Sequence, residues 1–204
     1  MTGGRRLVLA STNPHKIAEF RALLAGAPFE LLSPADLGVT VQVEETGDTF
    51  DENAILKALA YAEATGLLAL ADDSGLEIDA LGGAPGVHSA RWAGVDTTYE
   101  ERFQLLEQRL AGIPDEQRTA RYRCAIALAE PAPRGLYAVV SGTLEGRIAR
   151  TPRGTEGFGY DPIFSLPERG KTVGELTAAE KNSISHRARA AAAAQPLLAR
   201  LARR

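Results

Sequence analysis

The amino-acid sequence predicts an α/β fold, a mixed β-sheet flanked by helices. Three observations carry that expectation. "RRLVLAS" (5–11), "KIAEFRALLAGA" (16–27) and "FELLS" (29–33) read as strand, helix and strand at the spacing of an α/β unit. "TFDENAILKALAYAEATG" (49–66) reads as a helix that runs into the apolar strand "LLALADD" (67–73). Two long alternating segments, 119–129 and 136–149, are joined by the turn "EPAPRG" and read as a hairpin.

Each element has a local reason. In the first helix Ile17, Phe20, Leu23 and Leu24 recur at helical spacing, with Gly26 near the end. "VTVQVEE" (39–45) alternates strictly and predicts another strand, with Glu45 on the valine face and Glu44 on the polar face. Thr49 and Glu52 form a capping box for the second helix, and Gly66 stops it. "GLEIDAL" (75–81) predicts a further strand. Thr98 and Glu101 repeat the capping box before a helix over 99–112. A glycine-rich loop (154–160) precedes a last helical region, 177–203, capped by Thr177 and Glu180, in which Pro196 is expected to kink or break the helix.

At 204 residues the chain suits one sizeable domain, or two lobes. A net charge of −3 gives no global pull toward nucleic acid or membrane, so any anionic ligand needs local cations. The single cysteine, Cys124, cannot form an internal disulfide; it reads as a packing residue in a reducing compartment. No apolar run is long enough to span a bilayer, and Met1 leads into a strand rather than a signal peptide. A cytoplasmic protein is expected.

Four places could carry chemistry. In "LASTNPHK" (9–16) a strand ends, small polar residues follow and Lys16 opens a helix, which suits either an anion seat or a helix capped by Asn13 or Ser11 with Pro14 in its first turn. Acidic pairs end two apparent strands, Glu44–Glu45 and Asp72–Asp73. Alternation puts Asp72 on the face of Leu68 and Leu70, and Asp73 on the roomier face of Ala69 and Ala71. Carboxylates from two strand ends suit a magnesium ion, which fills its remaining positions with water and phosphate oxygens; turn capping is the other reading. In "GTEGFGYDP" (154–162) Phe158 or Tyr160 could stack on a base and Asp161 could accept from ring N–H groups, or the aromatics could tuck into the core. "EKNSISHRARA" (180–190) offers Lys181, His186 and Arg187, the last two as side-by-side donors, on what could also be a solvated helix face.

Five segments together carry a resemblance: "LASTNPHKIAEF", "EETGDTFDENAILKA", "ADDSGLEIDALGGAPGVHSARWAG", "GFGYDPIF" and "ELTAAEKNSISHRARA". In this order they resemble the inosine triphosphate pyrophosphatase family, the Ham1-like enzymes of noncanonical purine nucleotides. The resemblance implies a single ITPase-like domain, two-lobed with a long central sheet and a nucleotide cleft between the lobes, Mg²⁺, and a homodimer. It implies hydrolysis of ITP, dITP and XTP to the monophosphate and pyrophosphate, which cleanses the nucleotide pool. By position, Ser11, Thr12, Asn13, Pro14, His15 and Lys16 would bind the triphosphate and Ser74 would contact substrate. Glu44 and Asp73 would hold the metal, with Asp73 the general base. Phe158, Gly159, Tyr160, Asp161, Lys181, His186 and Arg187 would bind the nucleotide. A Maf-like pyrophosphatase, a nucleotide sensor and a structural protein are the rival readings.

Overall fold

The computed structural model describes residues 5–94 and 96–204. Its strands are β1 (Arg5–Leu9), β2 (Phe29–Leu32), β3 (Leu68–Ile78), β4 (Thr119–Glu130), β5 (Gly135–Ile148), β6 (Phe164–Leu166) and β7 (Lys171–Thr172). Its helices are α1 (Pro14–Leu23), α2 (Phe50–Thr65), α3 (Tyr99–Arg109), α4 (Ala178–Ile184) and α5 (His186–Leu201). The strands form one seven-stranded sheet in the order β2-β1-β3-β4-β5-β6-β7. β1 pairs in parallel with β2 and β3, whereas β6 pairs antiparallel with β5 and β7. The sheet is therefore mixed, as the sequence predicts.

The chain divides into two compact units, each with its own core. The first takes the described residues up to Asp73, Cys124–Gly142 and Arg187–Arg204; the second takes Ser74–Arg123 and Thr143–His186. In the first, Leu7, Leu9, Leu68 and Leu70 of the sheet pack with Phe20 of α1, with Leu24 at its C-cap and with Ala190, Ala194 and Leu198 of α5. Cys124 belongs to this core, and burial pushes its thiol up to about 12, so it packs and does not react. In the second, Leu76, Ile78, Tyr122, Leu144 and Phe164 pack with Leu106, Leu110 and Tyr160.

The caps are where the sequence places them. Thr49 and Glu52 form the box at α2, Thr98 and Glu101 the box at α3, and Thr177 and Glu180 the box at α4. Gly66 ends α2 in the left-handed conformation, φ 65°.

Three expectations need correcting. The alternating segment 39–45 is not a strand: its valines are half-buried and its threonine, glutamine and Glu44 exposed, but it pairs with no strand of the sheet. Alternate burial on a surface gives the same period as a pleated strand. Residues 67–73 and 75–81 are not two strands: β3 runs unbroken through Ser74 and Gly75, and a 3₁₀ turn, Asp79–Leu81, follows it. The last helical region breaks at Ser185, which is extended (φ −63°, ψ 158°), and α5 continues through Pro196. Pro196 and Ala192 are both exposed, so the carbonyl that proline leaves without its N–H faces solvent.

Candidate active site

The adjacent aspartates of β3 point to opposite faces, as strand geometry requires. Asp72, 2 % exposed, receives Lys16 Nζ from α1 at 2.8 Å and Arg187 Nη2 from the start of α5 at 3.5 Å. Arg187 in turn holds Glu19 at 2.5 Å. Burial alone would raise the Asp72 pKa, but Lys16 and Arg187 override it and hold the carboxyl well below the usual range. Asp73 turns to α2. Lys57 Nζ lies 2.9 Å from its Oδ1 and 2.6 Å from Glu45 Oε1, and Asn53 Nδ2 lies 3.5 Å from its Oδ2.

Sharing explains the unequal pKa values. Burial raises the Asp73 pKa, and Lys57, divided among carboxylates, does not offset it. Lys57 itself is depressed by burial, but the charges of Asp73, Asp72 and Glu45 outweigh that and leave it raised. Carboxylates Glu19, Glu45, Asp72 and Asp73 and cations Lys16, Lys57 and Arg187 make the ion pairs around β3's aspartates, and Glu44 is exposed.

Four hydrogen bonds tie residues 47–49 to α2. Gly47 N donates to Asn53 Oδ1 at 2.8 Å, and Asn53 Nδ2 donates to Gly47 O at 3.2 Å. Asp48 N and Thr49 N donate to Glu52 Oε2. A Cβ at Gly47 would stand 2.6 Å from Glu52 Cβ, so only glycine permits this approach. Neither Asn53 nor Lys57 was a predicted site residue. The signal that could have found them is their spacing: four residues apart on the α2 face that buries Ala54, Ala58 and Tyr61.

The opening loop takes its capped form. Asn13 is the N-cap of α1 and accepts from His15 N at 2.9 Å and Lys16 N at 3.3 Å, Pro14 follows it, and Ser11 Oγ accepts from Asn13 N at 3.2 Å. The amides of Asn13, His15 and Lys16 therefore bond within the loop. Thr12, Pro14 and His15 are exposed, and Lys16 is the cation this loop presents.

In the second unit Asp161 is a hub, not an open acceptor. It is 2 % exposed; its Oδ1 accepts from Tyr122 Oη at 3.1 Å, and its Oδ2 accepts from Lys181 Nζ at 2.7 Å and Phe158 N at 2.9 Å. Lys181 Nζ also lies 4.6 Å from the Phe158 ring centroid. Gly159 keeps the turn left-handed at φ 70°. Tyr160 is core: its hydroxyl donates to Ser89 O at 2.8 Å and its ring meets Tyr99 edge-on. Phe158 is half-buried and lies outside the core that holds Tyr160. His186 stacks on Tyr122, ring centroids 4.7 Å apart.

His186 and Arg187 are not side-by-side donors. Successive residues of a helix diverge by about 100°, and they serve different units: His186 meets Tyr122, Arg187 meets Glu19 and Asp72. Ser74, next to Asp73, is half-buried in β3. In the "GGAPGVHSARWAG" loop, Ser89 Oγ accepts from Leu76 N and donates to Gly86 O, while His88 and Arg91 are exposed.

The comparisons with known proteins match this chain over nearly its whole length. The model of the Ham1 family matches residues 7–197. The chain belongs to the Ham1 family. A dITP/XTP pyrophosphatase from Symbiobacterium thermophilum is 54 % identical to this Ham1 chain over 190 residues, 92 % of each. One of the same name from Bacillus subtilis is 48 % identical over 184 residues, covering 90 % of this chain and 92 % of its own. A HAM1 protein from Coxiella burnetii superposes with a TM-score of 0.87 at 45 % identity, covering 96 % of this chain and 99 % of its own. The α/β fold is the fold of that family.

Proposed function

We propose that this Ham1 chain is a nucleoside triphosphate pyrophosphatase that hydrolyses dITP, ITP and XTP to the monophosphate and pyrophosphate. Relatives named dITP/XTP pyrophosphatase, matched over about nine-tenths of the chain, support the substrate class. The observation that carries the chemistry is the division of β3's two aspartates, Asp72 tied to Lys16 and Arg187, Asp73 tied to Lys57 and the 44–45 acidic segment.

Magnesium fits this donor set in kind. Among the described residues no group of three or more His, Cys, Asp and Glu side chains could hold an ion by itself. Magnesium, however, uses one or two carboxylates and completes its shell with water and substrate phosphate. Asp73 and exposed Glu44 would hold it, beside Glu45, which shares Lys57 with Asp73. Bound there, it would draw charge from the phosphates and make water a better nucleophile.

The chain's own residues do the rest. Asp73 accepts a proton from the water that attacks the α-phosphorus. Lys16, with Ser11 to His15 around it, steadies the triphosphate and the departing pyrophosphate. Ser74 contacts substrate. Asp72 positions Lys16 and Arg187. In the second unit Phe158 stacks on the base, with Gly159, Tyr160 and Asp161 shaping its loop. Lys181 adds charge, and His186 donates to the 6-oxo group that hypoxanthine and xanthine carry and adenine lacks. Arg187 is buried on Asp72 and Glu19 and orders the charges around Lys16. An unmatched buried group costs about 1–3 kcal/mol, roughly 5- to 150-fold in preference.

The family reading also carries a cytoplasmic homodimer, which sedimentation velocity tests for assembly. The deciding experiment is pyrophosphate release from ITP, XTP, dITP, GTP and ATP, with and without Mg²⁺. Magnesium-dependent release from the first three above GTP and ATP is expected. Equal rates on all five would overturn the assignment.

A further inference from the structure

We infer that Tyr122 is a positioning residue that sets purine preference by fixing His186 and Asp161 at once. The inference rests on reading His186 and the 158–161 loop as base-handling groups. Tyr122 sits in β4 and is 6 % exposed. Its ring stacks on Phe164, centroids 4.2 Å apart and planes 19° apart, and on His186, 4.7 Å and 26°. Two rings cannot stack on one face of a third, so Tyr122 lies between them and holds the imidazole plane.

The hydroxyl does a second thing. It donates to Asp161 Oδ1 at 3.1 Å, while Asp161 Oδ2 holds Lys181 Nζ and Phe158 N. That bond fixes the rotation of the carboxylate, and the carboxylate fixes the ammonium and the backbone beneath the Phe158 ring. A bare phenyl would keep the stack and the volume and remove this one bond. Burial and the neighbouring Asp161 charge hold the phenol pKa well above its ordinary value, so the hydroxyl stays a donor across the working pH range. Tyr122 touches no reacting phosphate; its effect falls on binding and discrimination, not on the chemical step.

The test compares the parent with Tyr122→Phe and Tyr122→Leu. Each is assayed for pyrophosphate release from ITP and ATP and for equilibrium binding of inosine monophosphate. For Tyr122→Phe the expected result is a KM for ITP raised several-fold, because the groups that meet the base are no longer held in place. The inosine monophosphate Kd should rise in step, kcat should stay within about twofold, and the ITP-over-ATP preference should fall. Tyr122→Leu removes the stack too and should lose more preference; if it fails to fold, Tyr122→Phe alone decides. Unchanged KM, Kd and preference in Tyr122→Phe overturn the inference. So does a fall in kcat equal for ITP and ATP, which is what a merely structural residue gives. A parent that releases no pyrophosphate from ITP overturns the functional reading beneath it, which separates the two failures.

Discussion

Exchanging each β3 aspartate for asparagine should separate fold from chemistry. Asp72→Asn removes a carboxylate, 1 % exposed in its side chain, from between two cations. Removing one partner of a buried pair costs about 3–5 kcal/mol. Arg187 keeps Glu19, and Lys16, with 16 % of its side chain exposed, can turn to solvent. The lower end, about 3 kcal/mol, is therefore expected, a fall in Tm of about 6–12 °C for a chain of this length. Asp73→Asn behaves differently. Its charge is already disfavoured by burial, and Lys57 keeps Glu45. Its Tm should stay within about 2 °C of the parent, or rise, while turnover falls by about 10²–10⁴ with loss of the base. Calorimetric melts and pyrophosphate release on the same preparations measure both. Asp73→Asn melting well below Asp72→Asn, or turning over at a near-normal rate, contradicts the division of roles.

Other outcomes follow from the same contacts. Lys57→Met leaves Asp73 and Glu45 without their shared ammonium, so Mg²⁺ should raise its Tm by more than it raises the parent's; equal increments would count against a metal at these carboxylates. Asp72 has a depressed folded pKa, so the stability it contributes is complete above its ordinary 3.8 and is lost as pH falls below that value. Denaturant midpoints from pH 5 to pH 2 should drop less in Asp72→Asn than in the parent. Gly157→Ala would place a Cβ 2.1 Å from Asp161 Oδ2 at φ 75°; it should disturb the Phe158 turn and raise KM for ITP several-fold, a change steady-state kinetics on purified protein would show.

Much of this was legible in the sequence, and for local reasons. Capping boxes at Thr49, Thr98 and Thr177 are short-range chemistry, and they fall at helix starts. The alternation in "LALADD" places Asp72 with the leucines of the first core and Asp73 toward α2. What stayed hidden depends on distant partners. The period-2 pattern of 39–45 carries no information on whether a neighbouring strand is there to pair with. Asp161 reads as an open acceptor until Tyr122, thirty-nine positions away, is seen bonded to it. Adjacent His186 and Arg187 read as one donor pair until the turn of α5 sends them to different partners.

The central claim is attack by water at the α-phosphorus, and the position of an oxygen label tests it most directly. ITP turned over with Mg²⁺ in H₂¹⁸O should give inosine monophosphate and pyrophosphate, with the heavy oxygen in the monophosphate. Inosine diphosphate and orthophosphate as products, or label in the pyrophosphate, would contradict it.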